Sequence, residues 1–402
     1  RMSHRINETG SQSMILVRIP LSCEHRARYA VAMLIGVPSE IKNNEFRVAL
    51  TPAGAHDLSA AGHDVMVQSG AGAGSGIHDE AYLAAGARIV ADAETAWNAE
   101  MVLKVKEPVA SEYARFRDGL LLFTYLHLAA EPALTAALLE TGVTSIAYET
   151  VQLPNRSLPL LAPMRDGAGR LGPIVGANAM LKPSGGPGLL VPGVPGTHPA
   201  KIVILGGGVA GSNAMGVAIG LGADVTVLDT NLARLREIDA IHGGRVHTIA
   251  SNSYEIERAV LEADMVIGSV LIPGARAPKL VSNALVARMK PGSVLVDIAV
   301  DQGGCFEDTR PTTHSDPTFA VHGSLFYCVA NMPGAVPVTS TYALTNATLP
   351  YARALANAGW KDALRADPSL AAGLSTVGGA LVSAPVAAAH GLTSIALADA
   401  LT

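Results

Sequence analysis

At 402 residues the chain is long enough to bury two separate cores, and a formal net charge of −5 gives no electrostatic basis for binding nucleic acid or anionic lipid. Three cysteines (Cys23, Cys305, Cys328), odd in number and far apart, form neither a disulfide framework nor a zinc pattern, so no metal is expected. That cysteine usage makes a cytoplasmic protein the expectation, and although hydrophobic residues make up 49 % of the chain, no uninterrupted apolar run reaches the roughly 20 residues of a membrane span.

Residues 1–32 read differently from the rest. Met14-Ile-Leu-Val is apolar, but Arg18 and Pro20 interrupt it, which makes a poor signal-peptide core. Five arginines leave a transit peptide as the alternative to a disordered extension without function, and the extension is the expectation. From Met33 the chain alternates. Short β-branched or apolar runs at 34–38, 64–68, 101–105, 120–126 and 144–148 read as strands, and Ala-rich amphipathic segments at 53–61 and 132–140 separate them. That order predicts a parallel α/β sheet. A Pro/Gly-rich passage, 182–196, precedes further strands at 201–205, 223–229, 264–270 and 293–300, and the pattern turns helical at 342–358 and 361–372. The expected architecture is α/β: two doubly wound Rossmann-like domains with an interdomain cleft. The substrate domain takes 33–159 and 338–402, and the nucleotide domain takes 160–337.

The run Lys201-Ile-Val-Ile-Leu-Gly206-Gly-Gly208-Val209-Ala210-Gly211 gives the second domain its chemistry. An apolar strand ends in G-x-G-x-x-G and a small-residue helix follows. Gly206 permits the tight turn, Gly208 lets the backbone approach a pyrophosphate, and Gly211 lets the helix pack on the sheet. The helix N-terminus offers unpaired N–H groups to the anion. The next strand ends in Asp229, placed to accept hydrogen bonds from an adenosine ribose. Strand, turn, helix and acid together predict dinucleotide binding; a bare strand-to-helix turn is the alternative.

Other motifs carry a resemblance. Lys42-Asn-Asn-Glu-Phe-Arg47-Val, Leu103-Lys-Val-Lys-Glu-Pro108, Phe123-Thr-Tyr-Leu-His127-Leu and Ala147-Tyr-Glu-Thr150 resemble the alanine dehydrogenase family. So do Val294-Leu-Val-Asp-Ile-Ala-Val-Asp301 and Tyr327-Cys-Val-Ala-Asn331-Met-Pro333, and the match runs in register from Met33 to about Ser383. The NAD-binding subunit of proton-translocating transhydrogenase is a related group. The resemblance implies an NAD-dependent oxidoreductase that interconverts L-alanine with pyruvate and ammonium, assembled as a homohexamer.

It also implies roles. Arg47 and Lys106 take the substrate carboxylate, a task that suits a guanidinium or an ammonium; ordinary surface cations are the alternative. His127, at the end of the 120–126 strand, and Asp301, after an apolar strand of the other domain, are the expected acid–base pair. Asp297, inside that strand, reads as a structural acid. Asn331 is expected beside the substrate or the nicotinamide. Arg234 and Ser251 join Asp229 around the adenosine; Ser269, Val270 and Leu271 line the nucleotide cleft; Ile298 and Met332 bracket the nicotinamide.

One segment departs from the family. Where Ser-Glu-Val is usual, this chain has Arg165-Asp166-Gly167, expected as a flexible loop at the cleft with Arg165 close to the cofactor. The altered segment leaves a non-catalytic NAD-binding protein as one alternative, and a transhydrogenase subunit is the other.

Overall fold

The computed structural model describes residues 32–270 and 277–402. The stretch before Ala32 and the expected cleft residue Leu271 lie outside the described residues. Six strands follow in turn from Met33: β1 (Leu34–Val37), β2 (Asp64–Gln68), β3 (Arg88–Val90), β4 (Met101–Leu103), β5 (Leu121–Thr124) and β6 (Thr144–Ala147). A second series comprises β7 (Lys201–Leu205), β8 (Asp224–Asp229), β9 (Val246–Ala250), β10 (Met265–Gly268), β11 (Val294–Asp297), β12 (Thr318–Val321) and β13 (Ser324–Tyr327). The last two, β14 (Leu374–Val377) and β15 (Ala380–Leu381), return to the first sheet.

The strand orders are β15-β14-β6-β5-β4-β1-β2-β3 and β12-β13-β11-β10-β7-β8-β9. In each sheet the six parallel strands therefore run third, second, first, fourth, fifth, sixth, with antiparallel partners added at one edge. The order of strand addition reverses between β1 and β4 and between β7 and β10, and crevices for ligands open at such points beyond the strands' carboxyl ends.

Both sheets are buried on both faces, and the pleat decides which side chain goes where. In β7, Ile202 and Ile204 enter one core while Val203 and Leu205 enter the other. In β5, Leu121 and Phe123 face the core shared with helix Pro337–Ala358, and Leu122 faces away from it. Among the described residues no helix is long and apolar enough to cross a membrane.

Residues 165–167 are helical, not a loop. They belong to the helix Ala162–Ala179, which carries the chain from the first sheet to the second. Its glycines read as flexible in isolation, but they serve close packing. A Cβ at Gly169 would lie 2.3 Å from the carbonyl oxygen of Ala210, and one at Gly176 would lie 2.5 Å from Met265 Sδ.

Candidate active site

The carboxyl ends of both sheets open onto one cavity of about 570 Å³, and its wall draws on both. The first sheet contributes Lys106 beyond β4 and Tyr125 and His127 beyond β5; the second contributes Gly206, Ser269, Asp301 and Asn331 beyond β7, β10, β11 and β13.

His127 is held in an uncommon backbone conformation. Its φ of 49° and ψ of 33° are left-handed, a region that a β-substituted residue occupies only when its surroundings compel it. Glu149, just beyond β6, supplies the compulsion: its carboxylate accepts the His127 N–H at 2.6 Å and the Leu126 N–H at 3.2 Å. The Tyr125 ring stacks on the imidazole at 5.9 Å, with 9° between planes, and its hydroxyl is anchored on the Leu160 carbonyl at 2.6 Å.

Asp301 faces His127 from the other sheet, on the short turn Val300–Gln302. Its side chain is open to the cavity yet enclosed by protein, and this partial burial raises the carboxyl above its ordinary value against the pull of His127, Lys106 and Arg165. Asp297 is buried and fully engaged: it accepts the N–H groups of Ala299 at 3.0 Å and Cys305 at 2.8 Å and the Thr309 hydroxyl at 2.5 Å. It holds the turn that carries Asp301.

Two cations lie beside this pair. Arg47 is only 2 % exposed, and Glu45 grips it through Nε at 2.6 Å and Nη2 at 2.5 Å. Among the described residues Nη1 meets only the Met164 sulfur, a weak acceptor, at 2.9 Å, so it is the guanidinium nitrogen with donor capacity left. Glu45 neutralises much of the charge, and Arg47 therefore offers direction more than net attraction. Lys106 is less compensated, its acidic neighbour Glu107 lying 3.8 Å away and also paired with Lys42. Asn331 lines the cavity, but its amide is committed: Oδ1 accepts from Arg47 at 3.0 Å and Nδ2 donates to Glu45 at 3.1 Å. It thus ties the segment beyond β13 to the Arg47–Glu45 pair of the first sheet's half.

The residues around the glycine turn fit a dinucleotide. Gly206 has a φ of 100°, and a Cβ at Gly211 would lie 1.9 Å from the Gly206 carbonyl oxygen. A Cβ at Gly208 would meet nothing within 4 Å, which leaves open space where a phosphate would approach. The helix Val209–Gly220 starts there without a side-chain cap, and Val209 and Ala210 line the cavity. Asp229 Oδ2 accepts the Gly207 N–H at 2.7 Å and Oδ1 the Asn231 N–H at 2.8 Å; each oxygen keeps capacity for a further donor.

Ser251, Val270, Ile298 and Met332 line the cavity as well. The Ser269 hydroxyl bonds the carbonyls of Leu205 and Gly206 at 2.8 and 2.9 Å, so it braces the turn from behind. Arg234 turns away from the cavity, donating to the Gly207 carbonyl at 2.7 Å and pairing with Ser212 and Glu237. Sequence reading missed Glu45, Glu149 and Tyr125 as parts of the site. The motif stretches contained all three, but only the fold shows what each touches.

Comparison with known proteins gives a consistent picture. Residues 36–168 match the family described as Alanine dehydrogenase/PNT, N-terminal domain, and residues 172–384 match its C-terminal domain. The chain is 61 % identical over 356 residues to an alanine dehydrogenase of Mycobacterium tuberculosis, covering 88 % of this chain and 96 % of the relative. It is 55 % identical to an alanine dehydrogenase of Halomonas elongata, covering 91 % and 99 %. Among solved structures, an L-alanine dehydrogenase superposes with a TM-score of 0.87 at 53 % identity, covering 89 % and 99 %. A transhydrogenase from Sinorhizobium meliloti superposes with a TM-score of 0.75 at 28 % identity, covering 87 % and 99 %.

Proposed function

The chain belongs to the alanine dehydrogenase/PNT family, and from that premise we propose that it catalyses the NAD-dependent oxidative deamination of L-alanine to pyruvate and ammonium, and the reverse reductive amination. The observation that carries this reading is the meeting of His127 with Asp301, each from a different sheet, in one cavity with Lys106, Arg47 and the glycine turn.

Lys106 and Arg47 Nη1 fix the substrate carboxylate and so orient the Cα hydrogen. NAD, when bound, supplies the acceptor for the hydride that leaves Cα. Deamination then needs a proton taken from the amine, water added to the imine and ammonia expelled, and the His127 imidazole and Asp301 carboxylate share those transfers. The carboxylate also stabilises an imidazolium when one forms, while its enclosure by protein raises its own ionisation above the ordinary value. Glu149 and Tyr125 keep the ring in place.

On the nucleotide side, Gly206, Gly208, Val209 and Ala210 receive the pyrophosphate, with Gly211 setting the helix behind them. Asp229 and Ser251 face the adenosine, and Ser269, Val270, Ile298, Met332 and Asn331 flank the nicotinamide half. Arg234 acts through the turn it braces. The Asp229 carboxylate favours NAD over NADP, since it would repel a 2′-phosphate. The family resemblance implies a homohexamer, whose subunit number light scattering in solution checks, and three widely spaced cysteines fit the cytoplasm.

The deciding assay is NADH formation from NAD and L-alanine at alkaline pH. Tight NAD binding without turnover would make the protein a non-catalytic binder, and hydride exchange between nicotinamide cofactors without alanine would make it a transhydrogenase. The 28 % identity to the latter, against 61 % and 53 % to alanine dehydrogenases, favours the amino-acid enzyme. Lys106→Ala should raise KM for alanine and pyruvate about ten- to a hundredfold, the weight of a charge-assisted contact of roughly 1.5–3 kcal/mol. An unchanged KM would return Lys106 to a surface cation.

A further inference from the structure

We propose that Arg165 binds a second oxyanion in the cleft, apart from the carboxylate held by Lys106 and Arg47. Its source is a phosphate of the bound dinucleotide or a side-chain carboxylate on an amino-acid substrate. The proposal rests on the dehydrogenase reading above and adds to it a charged contact made by neither the glycine turn nor the Lys106 site.

Leu161, Met164, Arg165 and Ala168 all line the cavity, a spacing that puts them on one face at the start of the helix Ala162–Ala179. Arg165 therefore lies between two known points. Met164 touches Arg47 on one side, and on the other Ala168 adjoins Gly169, which packs on Ala210 at the start of the nucleotide-binding helix. The guanidinium has a reach that spans either direction.

It also lacks a protein partner. Among the described residues no hydrogen bond or ion pair within 4 Å engages the Arg165 side chain. The adjacent acid, Asp166, is taken by the Asn213 amide at 2.7 Å. Burial pulls the Arg165 ionisation below its ordinary value, and Asp301 and Tyr125 offset this only in part. A guanidinium has five donors in a planar fork that matches a carboxylate or phosphate. Facing an open cavity and given no acceptor by the described residues, this fork is left to engage an oxyanion that a ligand brings. Every other cation facing this cavity has an acid within 4 Å: Arg47 has Glu45 and Lys106 has Glu107. Arg165 is the exception among the described residues, and it is aimed at the cavity.

The test compares wild type, Arg165→Ser and Arg165→Lys. The readings are the Kd of NADH by fluorescence and the ratio of kcat/KM for L-alanine to that for L-aspartate. If the oxyanion is a dinucleotide phosphate, Arg165→Ser binds NADH about ten- to a hundredfold more weakly while the alanine/aspartate ratio holds. If it is a substrate carboxylate, wild type turns over L-aspartate and the ratio shifts toward alanine by at least about tenfold, with NADH affinity constant. In either case Arg165→Lys, which keeps the charge but loses the fork, falls between the other two. NADH affinity and ratio both unchanged, or tighter NADH binding in Arg165→Ser, overturns the proposal. Turnover of L-alanine by the wild type stands or falls separately, so failure of the enzyme reading cannot be mistaken for failure of this one.

Discussion

The two sheets repeat one strand order but fill their reversal points with opposite chemistry. Between β7 and β10 the chain places glycine, backbone N–H groups and open space. Between β1 and β4 it places charge. Glu40, beyond β1, accepts the Val105 N–H at 2.6 Å and the Lys104 ammonium at 3.0 Å, and Glu112 takes the same ammonium at 3.1 Å. Lys104 is 1 % exposed, so this is a buried ionic plug in the position where the other sheet has its open glycine turn. Burial alone would lower the Lys104 ionisation, but the two acids outweigh it and the net direction is up. Topology thus sets where a ligand can lie, and the residues at the reversal point set which ligand. From the plugged crevice Lys106, two residues past Lys104, projects into the cavity; the open crevice leaves space for a ligand beside the glycine turn.

The largest expected effect comes from breaking the plug. Lys104→Met leaves Glu40 and Glu112 buried without their cation, and losing one partner of a buried ion cluster costs about 3–5 kcal/mol. Urea denaturation should show that loss. A change below about 1 kcal/mol would mean that the acids find water or protons cheaply and that the first reversal point is no more rigid than the second.

Next come the groups on which the two halves converge. His127→Ala and Asp301→Asn should each lower kcat by at least about a hundredfold, as expected of positioned acid–base groups. NADH affinity should change little for His127→Ala, because that residue sits on the plugged sheet. Near-normal turnover in both variants would remove them from the chemistry.

The open crevice is tested at Gly208. A methyl group there strikes nothing in the protein, and the backbone φ of −68° suits alanine. Gly208→Ala should therefore fold as well as wild type or gain about 0.4–1 kcal/mol, from the stiffer unfolded chain. NADH binding should weaken about tenfold, because the methyl takes the space of a phosphate contact worth roughly 1.5 kcal/mol. Equal NADH affinity would show that the phosphates do not pass over this residue.

The contrast also explains what was legible in the sequence. The open crevice announces itself locally: glycine spacing, an apolar strand before it and Asp229 after it lie within 29 residues, from Lys201 to Asp229. The ionic plug does not. Glu40 and Lys104 meet across 64 residues, and isolated charges in sequence read as surface. Both doubly wound sheets were readable from their central strands, which are continuous apolar runs because both faces are buried. The edge strands β3, β9 and β12 carry exposed residues and short runs, and they gave no such signal. The helix at 165–167 is not legible in the sequence because Gly167, Gly169, Gly172 and Pro173 have poor intrinsic helix propensity. Packing against Ala210, Ile298 and Met265 overrides that propensity, and it is possible only because those positions lack a bulky side chain.

The smallest effect concerns how the plugged sheet aims His127. The left-handed backbone at His127 is a strained conformation for this residue, of order 1–3 kcal/mol, and it persists because two N–H groups converge on the Glu149 carboxylate. Glutamine can keep the oxygen that accepts both N–H groups, at 2.6 Å from His127 N and 3.2 Å from Leu126 N, but it loses the charge and the second oxygen that Leu126 shares at 3.2 Å, so the clamp weakens. Glu149→Gln should lower kcat about three- to tenfold, matching a lost hydrogen bond of roughly 0.5–1.5 kcal/mol, while NADH affinity holds. Glu149→Ala, which removes both acceptors, should fall further toward the His127→Ala level. A kcat unmoved by the alanine variant would mean that the Tyr125 ring alone orients the imidazole. Substitution of Tyr125 by leucine, in the Glu149→Ala background, would then have to produce the loss.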